Sequence, residues 1–196
     1  MSPRGVATPD ARERLYAAAE ALLTEEGPHA VTTRAVAERA GCSKGVFHNY
    51  FTGVDEFLAE LVLDRMRRLV QLVTAVTDRA GQNTVAENLL DITLVMTTPP
   101  FPAIARTALL RPAATDRIRT ALHGGEAGYT AVQHTIAQYM AAERALGRIP
   151  SGTDTDTAAL ALVGTLHHLL MSHSVDEEEL RSTLRRLIAL ITDERP

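Results

Sequence analysis

The chain has 196 residues, 45% of them hydrophobic and 22% charged, with a formal net charge of −4. This composition is typical of a globular protein with a buried core, and it excludes both a disordered chain and a general polycation. Any contact with nucleic acid must therefore come from a local basic patch. The single cysteine, Cys42, excludes an internal disulfide, and the first ten residues lack the apolar stretch of a secretory signal. We therefore expect a cytoplasmic protein.

Helical patterns follow one another along the whole chain without an alternating strand pattern, which predicts an all-α fold. The first helix is expected to begin at Thr8-Pro9-Asp10, where a capping residue precedes a proline and an acid, and to stop at Gly27-Pro28. The second helix is expected to end at Gly41, and the third to run from the cap Ser43 to about Phe51. The fourth helix is expected to extend from a cap formed by Thr52 and Asp55 to Gly81.

The rest of the chain predicts a second set of helices separated by proline and glycine. "PPFP" at 99–102 breaks the chain after a helix over 84–97, and residues 103–125 are expected to be less regular. Later helices are expected at about 126–146, from Asp154 or Thr155 to about Ser172, and after the capping box "SVDE" at 174–177.

The segment 157–175 has no Asp, Glu, Lys or Arg and is nearly long enough to span a bilayer. Its glycine, hydroxyl side chains and histidines favour a buried helix of a soluble protein instead. On a helical wheel, a leucine-rich face with Leu160 and His167 is expected to turn to the protein's own core. A second face, made of small side chains, is expected to pack against another subunit. The predicted dimer interface consists of Ala161, Gly164, Thr165, His168, Leu184 and Ile188.

Residues 31–51 have the residue types that a helix-turn-helix requires. Ala37 is small where two helices cross, Gly41 tolerates the left-handed backbone of the turn, and Phe47 can anchor the second helix. That second helix would place its N-terminal end in the major groove of DNA. Lys44, the only lysine of the chain, stands at this end beside Gly45, whose missing side chain would let the backbone approach DNA closely.

The run "TTRAVAERAGCSKGVFHNYFTGVDEFL" resembles the N-terminal DNA-binding domain of TetR-family transcriptional regulators, with its Ala-Gly-x-Ser, Lys-Gly and Tyr-Phe elements. The resemblance covers residues 8–58. It implies an N-terminal three-helix DNA-binding domain over 1–53 and a C-terminal helical domain for ligand binding and dimerisation over 54–196. It also implies a homodimer bound to an operator in double-stranded DNA.

The resemblance also implies roles for individual residues. Thr33 and Tyr50 would hold phosphates, and Ser43, Lys44 and Gly45 would face the groove. Arg34, His48 and Asn49 complete the expected DNA-binding set. His48 stands where tyrosine is common in the family, and Val54 stands where a lysine is frequent, so one backbone contact would be missing.

A small-molecule effector is expected to bind the C-terminal domain. The candidate pocket residues are Phe101, Arg106, Tyr129, Gln133, His167 and Met171. We expect no enzyme, since no nucleophile elbow, phosphate loop or paired-carboxylate spacing stands out, and no metal or cofactor. The sequence thus predicts a repressor that an effector releases from a palindromic operator. The alternative is a helical small-molecule-binding protein or enzyme that has lost DNA binding.

Overall fold

The computed structural model describes residues 11–97, 100–122, 128–171 and 176–192, except for the side chain of Met171. Within these ranges the chain forms ten α-helices and a short 3-10 turn, Pro28–Ala30, and no strand, which confirms the all-α prediction. The helices are α1 Ala11–Glu25, α2 Thr33–Arg39, α3 Lys44–His48, α4 Val54–Thr77, α5 Val85–Thr97, α6 Phe101–Leu109, α7 Pro112–Leu122, α8 Tyr129–Ala145, α9 Thr155–Met171 and α10 Glu177–Thr192.

The helices group into two compact units. The unit that we call the head consists of residues 11–64 and 100–121 of the described chain, and the body consists of the other described residues. The helix α4 contributes to both units, because the division falls between Asp64 and Arg65. The packing therefore does not follow the predicted boundary after residue 53, since the start of α4 and the helices α6 and α7 belong with α1–α3.

Four aromatic side chains form the core of the head. Tyr16, Phe47, Phe51 and Phe57 are each at most 2% exposed. The ring centroids of Phe47 lie 5.4 Å from Phe51 and 5.2 Å from Phe57, and the Phe51 and Phe57 rings meet edge to face at 5.0 Å. Because these rings come from α1, α3, the residues after α3, and α4, they join the short α3 to the longer helices.

The prediction of a less regular segment at 103–125 is wrong for the described residues, because most of α6 and all of α7 lie there. Pro112 is the first residue of α7, a position where its missing N–H would have had no helical partner, so the proline begins a helix rather than breaking one. The helix α6 contacts α1 and buries Phe101, Ile104 and Ala108.

In the body, α8 packs along α9, and α10 packs against α5 and α9. The helix α9 begins as predicted, since the side chain of Asp154 accepts hydrogen bonds from the backbone N–H groups of Asp156 and Thr157, each at 3.2 Å. The first two residues of the other predicted cap, "SVDE" at 174–177, lie outside the described residues. None of the described helices combines the length and the apolar character needed to cross a membrane.

The expected faces of α9 need correction. Its buried side is formed by Ala159, Leu162, Val163 and Leu166, whereas Leu160 is 55% exposed and His167 is exposed as well. The prediction that the face with Leu160 and His167 turns to the core is therefore wrong. Both residues lie on the outer side of α9, next to the small residues. Leu184 and Ile188 are 0% and 1% exposed, so they belong to the packing of α10 within one chain and are not available to a second subunit.

A buried carboxylate ties the loop after α4 to α8 in the body. The side chain of Glu143 is fully buried, and its Oε1 accepts from the backbone N–H of Gly81 at 3.2 Å. The Arg148 guanidinium lies 3.4 Å from the other carboxylate oxygen. Burial and a hydrogen bond to Glu143 together raise the pKa of the Tyr139 hydroxyl. This cluster fixes the loop in which Gly81 and Asn83 both have positive φ angles.

Candidate nucleic-acid interface

The turn between α2 and α3 is built as the sequence predicted. Gly41 adopts a left-handed φ of 65°, the Cys42 N–H donates to the carbonyl of Ala37 at 2.9 Å, and the Gly41 N–H donates to that of Glu38 at 3.1 Å. These two bonds form a Schellman motif, which satisfies the last carbonyls of α2 and turns the chain into α3. At the other end of α2, the Thr32 hydroxyl accepts from the N–H of Ala35 at 3.2 Å. Both ends of α2 are therefore fixed by local contacts.

The helix α3 is short and is held by one buried side chain. Phe47 is 0% exposed, whereas Ser43, Lys44, Gly45, His48 and Asn49 are all exposed. Ser43 occupies the N-cap position with an extended backbone, but its hydroxyl makes no capping hydrogen bond, contrary to the expected cap. The predicted set is thus brought together on the outer side of α3. Thr33 and Tyr50 are half-buried at the start of α2 and just after α3, and Arg34 is exposed.

The charges around this surface are mostly paired. Arg34 lies 2.7 Å from Glu38 on the same helix, and Arg39 lies 3.5 Å from Glu26 while also pairing with Glu25. Neither pair includes Lys44, and no other ion pair of the described residues does. Of the three cations between Thr33 and Tyr50, Lys44 is therefore the one whose charge is not offset by a neighbouring carboxylate.

The described residues leave room for a side chain at position 45. A Cβ atom built there would meet only the Ser43 hydroxyl, at 3.6 Å, which is an ordinary contact, and the φ angle is not positive. Gly41, in contrast, needs its left-handed backbone. A glycine within the first turn of a helix weakens that helix without any benefit to packing. Packing among the described residues therefore gives no reason for a glycine at this position.

We expect Gly45→Ala to leave the head as stable as the wild type or stabilise it by up to about 1 kcal/mol. The same change should weaken DNA binding several-fold, because the added methyl group points to the surface that would approach the groove. Thermal unfolding and fluorescence anisotropy with labelled duplex measure the two effects. Ala35→Gly on α2 is the control for helix propensity, and a Gly45→Ala protein with undiminished DNA affinity would contradict this role.

The residues between α3 and α4 are held by a contact between Thr52 and Glu56, whereas Asp55 was the predicted partner of Thr52. The backbone N–H of Thr52 donates to Oε2 of Glu56 at 2.6 Å, and the Thr52 hydroxyl donates to the same oxygen. Asp55, the expected capping partner, pairs with Arg111 instead. The sequence signal was present, since Glu56 is the next residue of the "TGVDE" run, but α4 begins at Val54 and its first turn puts Glu56 within reach.

The predicted effector residues are divided between the two units. Phe101 is buried and Arg106 exposed on α6 in the head, whereas Tyr129, Gln133 and His167 lie in the body. Tyr129 and His167 meet edge to face with ring centroids 4.7 Å apart, and burial raises the pKa of the Tyr129 hydroxyl. The side chain of Met171 lies outside the description. A cleft of about 380 Å³ in the head lies between α4 and α7, and none of the predicted effector residues lines it.

Comparison with known proteins shows which family of DNA-binding domains the N-terminal part of the head matches. Residues 15–61 match the sequence profile of the bacterial regulatory proteins of the TetR family. No curated protein sequence matches the chain. The match covers α1, α2, α3 and the start of α4, so the surface described above belongs to a TetR-type DNA-binding domain.

Solved structures extend the likeness to the whole chain. A TetR-family transcriptional regulator from Mesorhizobium loti has a TM-score of 0.74 and 16% identity, over 96% of this chain and 97% of that one. A transcriptional regulator from Rhodococcus sp. has a TM-score of 0.65 and 24% identity, over 94% and 99%. A transcriptional regulator from Saccharomonospora viridis, in complex with choline, has a TM-score of 0.64 and 21% identity, over 92% and 96%. Residues 15–61 therefore form a DNA-binding domain of the TetR-family type, and the chain as a whole has the fold of solved transcriptional regulators of this family.

Proposed function

We propose that the protein is a homodimeric repressor that binds a two-fold symmetric operator through α3 and leaves it when a small molecule binds the C-terminal domain. The observation that carries this proposal is the exposed leading end of α3, with an unpaired lysine and a glycine that packing does not require. The regulator would act in the cytoplasm and would carry out no catalysis.

We assign the contacts to DNA as follows. Lys44, Ser43, Gly45 and Asn49 would enter the major groove, since they lie along the exposed edge at the beginning of α3 and its continuation. Thr33, Tyr50 and His48 would contact phosphates beside the groove. Arg34 would bind a phosphate only if its ion pair with Glu38 breaks. Phosphate contacts fix the register, and groove contacts select the sequence.

A dimer is needed because one short helix contacts few base pairs, and two-fold symmetry matches a palindromic site. Selection from a random duplex pool should therefore enrich a two-fold symmetric sequence whose half-sites lie one helical turn apart, roughly 34–36 Å. A pool with no enrichment would favour the alternative, a helical small-molecule binder that has lost DNA binding. The replacement of the family's frequent lysine by Val54 is the one feature that points toward this alternative.

The outer side of α9 supports a subunit interface there. Ala161, Gly164 and His168 are exposed and Thr165 is half-buried, as an interface residue must be in a single chain. Leu160 and, on α10, Leu190 add exposed apolar surface, at 55% and 82% exposed. We therefore place these two leucines in the interface instead of the buried Leu184 and Ile188.

We expect the double variant Ala161→Glu with His168→Glu to be monomeric, because each interface would bury unpaired carboxylates from both subunits. Sedimentation velocity measures the change in mass. Ala75→Glu introduces a carboxylate at an exposed alanine of α4 in the body and is the matched control. If the double variant stays dimeric, the interface lies elsewhere.

The effector is proposed to be a small apolar or amphipathic molecule. The choline complex of the Saccharomonospora viridis structure supports a small-molecule site in a protein of this fold. Tyr129 and His167 offer an aromatic pair in the body, whose faces could contact such a molecule. An effector that binds more tightly to one spacing of the two heads than to the other would shift the dimer away from the operator, with α4 as the moving element.

A further inference from the structure

The helices α6 and α7 are part of the head although they follow α5 of the body in the chain. The helix α6 contacts α1, and its Ile104 and Ala108 are buried. These helices lie outside residues 15–61, the part of the chain that matches the TetR-family profile. Side chains of this segment contact the first turn of α4.

Two ion pairs connect this segment to the beginning of α4. Arg111, between α6 and α7, donates from Nε to the Asp55 carboxylate. Arg117 of α7 places Nη1 3.6 Å from Oε1 of Glu56. Asp55 and Glu56 are adjacent residues in the first turn of α4, so guanidinium groups from two places hold the same turn.

Glu56 also contacts the other side of this turn. Its Oε2 accepts from the backbone N–H and the hydroxyl of Thr52, the residue that directly follows the buried Phe51. The Thr52 hydroxyl, the Thr52 N–H and the charge of Arg117, in that order, lower the pKa of the Glu56 carboxyl. One charged carboxylate therefore connects α7 to the residues through which α3 joins α4.

The exposure of these pairs argues against a role in stability alone. The side chains of Asp55 and Arg111 are 41% and 42% exposed, and that of Arg117 is 54% exposed. Ion pairs as exposed as these contribute little to the free energy of unfolding, but they do restrict the geometry of the segments that they join. What they restrict here is the junction between the recognition helix and α4.

We propose that Asp55–Arg111 and Glu56–Arg117 form a brace, and that its four residues are positioning residues that set the orientation of α3 for DNA. The proposal rests on the DNA-binding function. A displacement of the first turn of α4 would move α3 with it, because Phe47, Phe51 and Phe57 pack as one cluster. The brace itself need not touch DNA.

The brace and simple electrostatics predict opposite signs for one substitution. Asp55→Asn removes a negative charge from the DNA-binding unit, so long-range electrostatics alone would tighten binding to the polyanion. The brace requires the carboxylate to hold Arg111, so we expect Asp55→Asn to weaken binding by about three- to tenfold. Glu56→Gln should act in the same direction, since a glutamine can still accept from Thr52 but loses the charge that attracts Arg117.

The experiment is a double-mutant cycle on the full-length protein with the duplex selected for the wild type. Asp55→Asn, Arg111→Gln and the double variant should all bind DNA with similarly reduced affinity. Either single change already removes the ion pair between Asp55 and Arg111, so the second change has no further effect. The slope of affinity against salt concentration should stay as in the wild type, because no phosphate contact is lost. Arg79→Gln is the matched control, since Arg79, just after α4, and Asp91 of α5 form a pair of similar exposure, at 3.3 Å, in the body.

The outcomes separate the two proposals. If the wild type fails to bind any selected duplex, the DNA-binding proposal itself fails. If the wild type binds and Asp55→Asn binds equally or more tightly, the brace is overturned. Affinity losses that parallel a lowered melting temperature would also overturn it, because the pairs would then be structural only. Reduced affinity with unchanged melting temperature and salt slope supports the brace.

Discussion

Phe47→Ala is expected to unfold the head and to abolish specific DNA binding. Phe47 is 0% exposed and its ring lies within 5.4 Å of the rings of both Phe51 and Phe57. Truncation of a buried phenylalanine to alanine costs about 3–5 kcal/mol, a large part of the total stability of a typical domain. Since α3 has only five residues, no other buried side chain of its own can hold it in place.

Chemical unfolding followed by circular dichroism, with hydrogen exchange of the α2 and α3 amides, measures this effect. Phe47→Leu is the matched control, because it keeps most of the buried volume and should lose much less stability. A Phe47→Ala protein with wild-type protection of the α3 amides would show that α3 is held by contacts other than the aromatic cluster.

Lys44→Ala is expected to weaken DNA binding by about 1–3 kcal/mol, which is a factor of roughly 5 to 150, with the fold unchanged. Lys44 is exposed, and its removal leaves no buried group unpaired, so stability should change by less than about 0.5 kcal/mol. Its charge is the one that no neighbouring carboxylate offsets, which is why this single side chain should matter more than the arginines of α2.

Titration of labelled duplex with the variant at several salt concentrations checks this prediction. If Lys44 contacts a phosphate, the slope of log affinity against log salt should fall by about 1 and every sequence should be affected alike; if it contacts a base, discrimination between sequences should fall instead. Arg34→Ala is the comparison, since Arg34 already pairs with Glu38 at 2.7 Å and should lose less. Wild-type affinity for Lys44→Ala would remove Lys44 from the interface.

The features that the sequence predicted well are those set by neighbouring residues. The turn at Gly41 follows from backbone conformation and from two hydrogen bonds within six residues, Ala37 to Cys42. The cap at Asp154 has the same local origin. Such interactions leave a readable pattern because the residues that make them have fixed spacings in the chain.

The features that the sequence missed depend on which face of a helix meets which neighbour. Leu160 was expected in the core and is 55% exposed, because the packing of α9 against α8 selects the side with Leu162 and Leu166. The pair of Arg111 and Asp55 joins residues 56 positions apart, a separation at which no local pattern exists. The helix that begins at Pro112 was not predicted for a different reason, since a proline that starts a helix and one that ends it look alike in sequence.

The affinity of the wild-type protein for its selected duplex at two salt concentrations tests most directly whether α3 presents its first residues to a DNA groove. We predict specific binding that weakens steeply as salt rises, because each phosphate contact releases counterions. Binding that is absent, or that is indifferent to salt, would contradict the account and leave the exposed end of α3 without a nucleic-acid partner.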